Sequence, residues 1–179
     1  MNKQIFLHPP VPTKKIITQK PRAKRMVALE TDKWTFSQDD LEPSAQYDIV
    51  SPIFYTEVCD LSKNHLFILQ QIRNKISGYK SQDSEKSKFV QEKFVTERDV
   101  LNIFETSRLT CYYCNEPTLV LYEFVRDPKQ WSLERLDNKM GHNKDNVVLA
   151  CLQCNLRRRC IHSDRYLKTK QMANVVKLP

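Results

Sequence analysis

Two cysteine pairs of identical spacing, Cys111-Tyr112-Tyr113-Cys114 and Cys151-Leu152-Gln153-Cys154, restrict this chain more than any other feature. A C-x-x-C knuckle offers two thiolates to one side of an ion. Two such pairs complete a tetrahedral site for one structural zinc. The alternative, four ordinary buried cysteines, requires the same spacing to arise twice by packing alone. A four-cysteine site is closed, so its metal would staple the fold and take no part in catalysis.

The bulk numbers remove other classes. A chain of 179 residues holds one ordinary domain and a tail. Its only glycines are Gly78 and Gly141, so no glycine-rich loop can cradle phosphates. That excludes P-loop hydrolases and dinucleotide-binding enzymes, and with them a nucleotide cofactor. No secretory signal and no apolar run long enough for a bilayer is visible, so the expectation is a soluble intracellular protein in a reducing compartment, away from membranes. There, six cysteines point to metal rather than to disulfides. The net charge of +8 is uneven. Residues 1–29 carry +7 and residues 151–179 carry +6, which leaves the middle at about −5 by difference. Clustered cations at the ends suit a nucleic-acid partner, whose counterions they release.

Residues 1–45 read as a disordered tail, broken by Pro9, Pro10, Pro12, Pro21 and Pro43. Its basic run over 14–25 fits a nuclear localisation signal, a non-specific nucleic-acid arm or a solubilising segment. Residues 46–95 read as a helical support region. Ser62 is a helix cap, Leu66, Leu69, Ile72 and Ile76 form an apolar stripe, and Gly78 is a stop. The polar stretch 79–88 then becomes a loop, and Cys59 and His65 become packing residues. Residues 96–179 form the third region. Thr96 and Asp99 predict a capping box for a helix buried through Val100, Leu101, Phe104 and Leu109. Strands are expected over 118–125, 131–136 and 146–150. A single helix is expected from Cys151 to about Lys168, with Leu152, Leu156 and Cys160 on one face and Arg157, Arg158 and Arg165 turned away from it.

The 36 residues between Cys114 and Cys151 exceed the gap of a simple zinc ribbon. They leave room for a strand, a loop and a hairpin, the layout of a treble clef: knuckle, hairpin, helix. Glu134, Asp137, Asn138, His142, Asn143, Asp145, Asn146 and Asn155 fill this stretch with oxygen ligands beside three consecutive arginines. Hard cations such as Mg²⁺ take one or two carboxylates plus phosphate oxygens. The same residues can also be a hydrogen-bonded brace for a zinc-stapled loop.

Ser132-Leu133-Glu134-Arg135-Leu136-Asp137-Asn138, then Gly141-His142, Asn146-Val147-Val148 and Cys151 to Asn155, resemble the HNH nucleases, over roughly Cys111 to Arg159. The closest likeness is to their branch with a strand reading S-L-D-R-I-D-N. The wider chain is similar to HNH-type proteins of large DNA viruses of eukaryotes, which adds a viral replication site to the nucleus among expected locations. The resemblance implies an α+β fold in which a zinc-stapled ββα unit follows a helical region and a basic tail. It implies that Cys111, Cys114, Cys151 and Cys154 hold zinc, that Glu134 and Asn155 hold a catalytic Mg²⁺ or Mn²⁺, and that Asn146 pins the loop. Arg135 stands where the family carries its general-base histidine. A guanidinium stays protonated and cannot accept that proton, though it can grip a phosphate. His142, seven residues on, has the pKa of a base and is the candidate replacement; a turn residue is the other reading of it.

Two functions follow. One is a divalent-metal-dependent endonuclease, acting on DNA in preference to RNA, with Glu134, Arg135, His142, Asn146 and Asn155 in its catalytic site. The other is a catalytically silent treble-clef protein that binds nucleic acid and needs only the zinc. In both, Arg157, Arg158, Arg159, Arg165 and Lys168 contact the nucleic acid. A zinc-stabilised protein–protein adaptor is a third reading, and it leaves the terminal basic clusters unused.

Overall fold

The computed structural model describes residues 36–56 and 58–173. The basic run over 14–25 lies outside them. In order, the elements are helices α1 (Gln46–Val50), α2 (Pro52–Tyr55), α3 (Lys63–Glu85) and α4 (Glu97–Ser107), strands β1 (Trp131–Arg135) and β2 (Val147–Cys151), and helices α5 (Leu152–Arg158) and α6 (Ser163–Ala173). Short 3-10 turns precede α1 and α3. Helices around a two-stranded sheet make this an α+β fold.

Helix α3 starts as its sequence dictates, with the Ser62 hydroxyl accepting from the His65 N–H. It does not stop at Gly78 but runs on to Glu85, so the expected loop over 79–88 is largely helix. A glycine inside a helix costs only about 1 kcal/mol relative to alanine. Tertiary contacts of Tyr79 and Asp83, one turn further on, outweigh that. The stripe also shifts: Ile68, Leu69 and Ile72 are buried, whereas Leu66 is 42% exposed. Helix α4 has the expected capping box between Thr96 and Asp99 and buries Val100 and Phe104. It ends at Arg108 in a left-handed conformation (φ 48°).

No strand forms over 118–125. This segment is irregular and meets its neighbours through isolated contacts, among them a bridge of Leu119 to Gln130. Gln46, 1% exposed, stands in for a strand partner: its Oε1 accepts from the N–H groups of Val120 and Leu121. Buried backbone donors must be paired, and a side chain on α1 does this here.

Strands β1 and β2 are antiparallel, in register from Trp131 opposite Cys151 to Arg135 opposite Val147. Trp131, Leu133, Val147 and Leu149 point into a core shared with Ile68, Leu69, Ile72, Val100 and Phe104. Trp131 and Phe104 meet edge to face at 4.9 Å. Each such side chain contributes about 1.5–3 kcal/mol by leaving water, so the hairpin is fixed against α3 and α4. A second buried cluster joins Cys111, Tyr113, Ala150, Cys151, Cys154 and Tyr166.

The expected single helix after Cys151 is two. Helix α5 stops at Arg158, and Arg159 adopts φ 52°, ψ −114°, a strained conformation for a residue with a Cβ. Cys160 is therefore exposed in a turn and not on a helix face with Leu152. Leu156 is half exposed. Arg158, expected at the surface, is 1% exposed.

Candidate metal centre and the polar site beside it

The knuckle is built by backbone bonds. Asn115 N–H donates to the Cys111 carbonyl, and Tyr112 N–H donates to the Leu149 carbonyl of β2, which ties the knuckle to the hairpin. Cys151 ends β2 and caps α5, its sulfur accepting from the Cys154 N–H at 3.4 Å. The four Sγ atoms lie within 4.8 Å of one another, and those of Cys114 and Cys151 are 3.9 Å apart. Thiolates about 2.3 Å from a tetrahedral zinc lie roughly 3.8 Å apart, so the set fits. None of the four is in a disulfide. Together they could hold a metal ion such as zinc. The sulfurs are mutually hydrogen-bonded: bonds from Cys151 and then Cys154 draw Cys111 far below the ordinary thiol range. The bond to Cys111 pushes Cys151 up, and Cys154 up to about 12. A divalent cation would displace those protons.

Glu134 lies on β1 facing α5, 6% exposed. Its Oε1 accepts from Nε of Arg158, and Nη2 of Arg158 closes the ion pair. The remaining donors of Arg158 are also engaged: Nη1 to the Ile161 carbonyl at 2.6 Å, Nη2 to the Arg135 carbonyl at 2.6 Å and to Asn138 Oδ1 at 2.8 Å. Arg158 is thus an internal residue and not a surface contact, which corrects its expected role. Burial pushes the Glu134 carboxyl up from its ordinary range, while Arg158 pulls it back. Asn155, on the first turn of α5, donates to Ser132 Oγ at 3.1 Å and to the Leu133 carbonyl at 3.3 Å. Glu134 and Asn155 therefore do face each other's elements, with the Arg158 guanidinium on the carboxylate.

The loop over 136–146 is braced at two points. Asn146, 1% exposed, accepts from Asp137 N–H and donates to the carbonyls of Asp137 and Gly141. Asp83, fully buried on α3, accepts from the His142 N–H and contacts His142 Nδ1 at 2.9 Å. Arg135 Nη1 lies 3.6 Å from the same carboxylate. Tyr79 stacks on the His142 ring at 4.4 Å and its hydroxyl accepts from Leu133 N–H. A Cβ on Gly141 would fall 2.5 Å from the Lys88 carbonyl and 2.7 Å from Asp83 Oδ2, so only glycine lets the loop approach α3 this closely. His142 is 4% exposed, and burial lowers its pKa despite the opposing pull of Asp83.

Sequence reasoning missed Asp83 and Tyr79. Their signal was the spacing: Ile72, Ile76, Tyr79 and Asp83 continue one helical stripe, concealed when Gly78 is taken as a stop. Among the described residues, the four cysteines are the one group of three or more His, Cys, Asp or Glu side chains whose ligand atoms converge. Arg157, Arg159, Arg165 and Lys168 are exposed. A groove of about 630 Å³ lies between the 136–140 loop and the α5–α6 turn, with Arg158 in its wall. No described helix is long and apolar enough to cross a membrane.

The chain was compared with protein-family models, curated proteins and solved structures, and it matches none of them.

Proposed function

We propose that this chain is a zinc-stapled treble-clef protein of the HNH type that binds nucleic acid and does not cleave it. The observation that carries the reading is the buried pair of Glu134 and Arg158. An HNH nuclease needs that carboxylate for a divalent cation. Here a guanidinium supplies the positive charge from within the fold, and a second cation beside it would meet electrostatic repulsion. Arg135 cannot accept a proton. His142, the other candidate base, has its Nδ1 on a buried carboxylate and its ring against Tyr79, contacts that equally serve to hold a loop. The knuckle at Cys111–Cys114, the hairpin and the cysteine-capped α5 support the treble clef, and four soft thiolates favour zinc among the common metals. The exposed Arg157, Arg159, Arg165 and Lys168 supply the phosphate contacts, with DNA as the expected partner.

Three measurements test this. Metal analysis should return one zinc per chain. A fluorescent duplex should bind with an affinity that falls steeply with salt. Replacing Arg157, Arg159 and Arg165 together by alanine should lower the salt slope by about 2–3, each phosphate contact contributing about 0.9. Supercoiled plasmid incubated with Mg²⁺ or Mn²⁺ should remain intact. Cleavage that disappears in Glu134→Ala or His142→Ala would overturn the silent reading in favour of the endonuclease.

A further inference from the structure

Two buried hydroxyls, those of Tyr113 and Tyr166, have no hydrogen-bond partner. Both belong to the cluster of side chains around the four cysteines. A buried O–H without a partner is costly, and a bound ion nearby is one of the few things that accounts for it. The two differ in what they face. Charges around Tyr113 come first from Arg158 and Glu134, on the side of the ion pair, with Tyr112 and Cys111 behind them. Tyr166 packs among the sulfurs, with Cys154 its foremost neighbour and Arg157 and Cys151 after it. Its ring is held edge to face by Tyr113 at 5.0 Å, and it is 6% exposed.

Tyr166 reaches this place only because the helix breaks. Twelve residues separate it from Cys154. On one continuous helix they would stand about 18 Å apart. The turn at Arg159 redirects the chain, held by Asn138 Nδ2 donating to the Arg159 carbonyl and by Arg158 Nη1 on the Ile161 carbonyl. Helix α6 then packs Tyr166 into the cluster of the cysteines.

We propose that Tyr166 is a positioning residue for the metal: its hydroxyl donates to the Cys154 thiolate of the loaded site and strengthens the hold of the four cysteines. This rests on the cysteines binding a metal ion. A neutral thiol is a weak acceptor, so the hydroxyl gains little from an uncharged sulfur. A metal-bound thiolate keeps its negative charge and accepts well. Removing the hydroxyl therefore relieves the metal-free form and weakens the loaded form, and both effects lower affinity.

The experiment uses the full chain, with Co²⁺ as probe and Zn²⁺ in competition. Tyr166→Phe should weaken both metals by about tenfold or more, as loss of such partners does elsewhere. It should also move the sulfur-to-cobalt charge-transfer band to longer wavelength, since a hydrogen bond lowers the thiolate lone pairs. Tyr113→Phe should change the band and the affinity distinctly less. An unaltered band and affinity in Tyr166→Phe would overturn the proposal, as would an equal loss in Tyr113→Phe. Wild-type protein that binds neither metal would overturn the underlying metal reading, and is distinguishable from both.

Discussion

Removing the guanidinium of Arg158 while keeping its length, as Arg158→Met, should be among the most damaging single changes in the hairpin region. Arg158 is 1% exposed and makes one ion pair and three further hydrogen bonds. Deleting one partner of a buried pair costs about 3–5 kcal/mol, because the other charge stays buried alone. The carbonyls of Ile161 and Arg135 lose their donor too, at about 1 kcal/mol each where water cannot replace it. A loss of about 5–7 kcal/mol is a large share of the 5–15 kcal/mol typical of a domain. At 2–4 °C per kcal/mol for a chain of this size, the midpoint should fall by about 10–28 °C. The assay is thermal and urea unfolding of the metal-loaded protein, alongside Glu134→Leu and the double variant. Removing both charges should recover most of the loss, giving a coupling of more than 2 kcal/mol in the cycle. The pH dependence has a defined sign. With Arg158 gone, the folded-state pKa of Glu134 rises further above its unfolded value. Native protein then binds more protons than unfolded protein between those values, so the penalty is larger at pH 7 than near pH 5. An Arg158→Met protein within 1 kcal/mol of wild type, or additive single variants, would refute an internal role for this arginine.

The two glycines should respond oppositely to alanine in thermal unfolding: Gly141→Ala loses about 1–3 kcal/mol to its clash with Lys88 and Asp83, while Gly78→Ala, in open space on α3, gains about 0.5–1 kcal/mol. Asp83→Ala should cost about 3 kcal/mol by stranding the His142 donors, and in Asp83→Asn the His142 pKa, read by NMR, should fall further because the carboxylate that raises it is gone. Lys75, whose Nζ sits 4.3 Å over Trp131, has its pKa lowered by burial to about 7. Unfolded protein then holds a proton that native protein lacks between pH 7 and 10.5, so stability should rise with pH across that window by at most about 1.4 kcal/mol per unit, and Lys75→Met should flatten the rise. Stripping the metal with a chelator should lower the melting midpoint by about 10 °C or more, with recovery on adding Zn²⁺.

Local chemistry was legible where it depends on residues close in sequence. The paired C-x-x-C spacing announced a converging set of four cysteines, Thr96 and Asp99 announced a capping box, and the runs over 131–136 and 146–150 announced the two strands. These features are decided within a few residues, by ring size, dihedral preference and side-chain period. Long-range competition was not legible. Gly78 carries a weak local bias against helix, and contacts of Tyr79 and Asp83 with a loop some 60 residues away override it. Thr118 to Val125 has strand-prone residues but no strand beside it, and a side chain of α1 takes its N–H groups instead.

The sequence by itself determined that four thiolates would converge and that a polar hairpin would lie between them. Only the tertiary structure decided which polar groups remain available. Arg158 reads as one of three equivalent surface cations, yet it is the one that turns inward and meets Glu134. The reason is physical: on a seven-residue helix docked by its first turn through two cysteines, one arginine must lie over the hairpin, and a buried cation requires a carboxylate. That single placement moves Glu134 from a prospective metal ligand to an internal partner, and fixes the turn that brings Tyr166 to the cysteines.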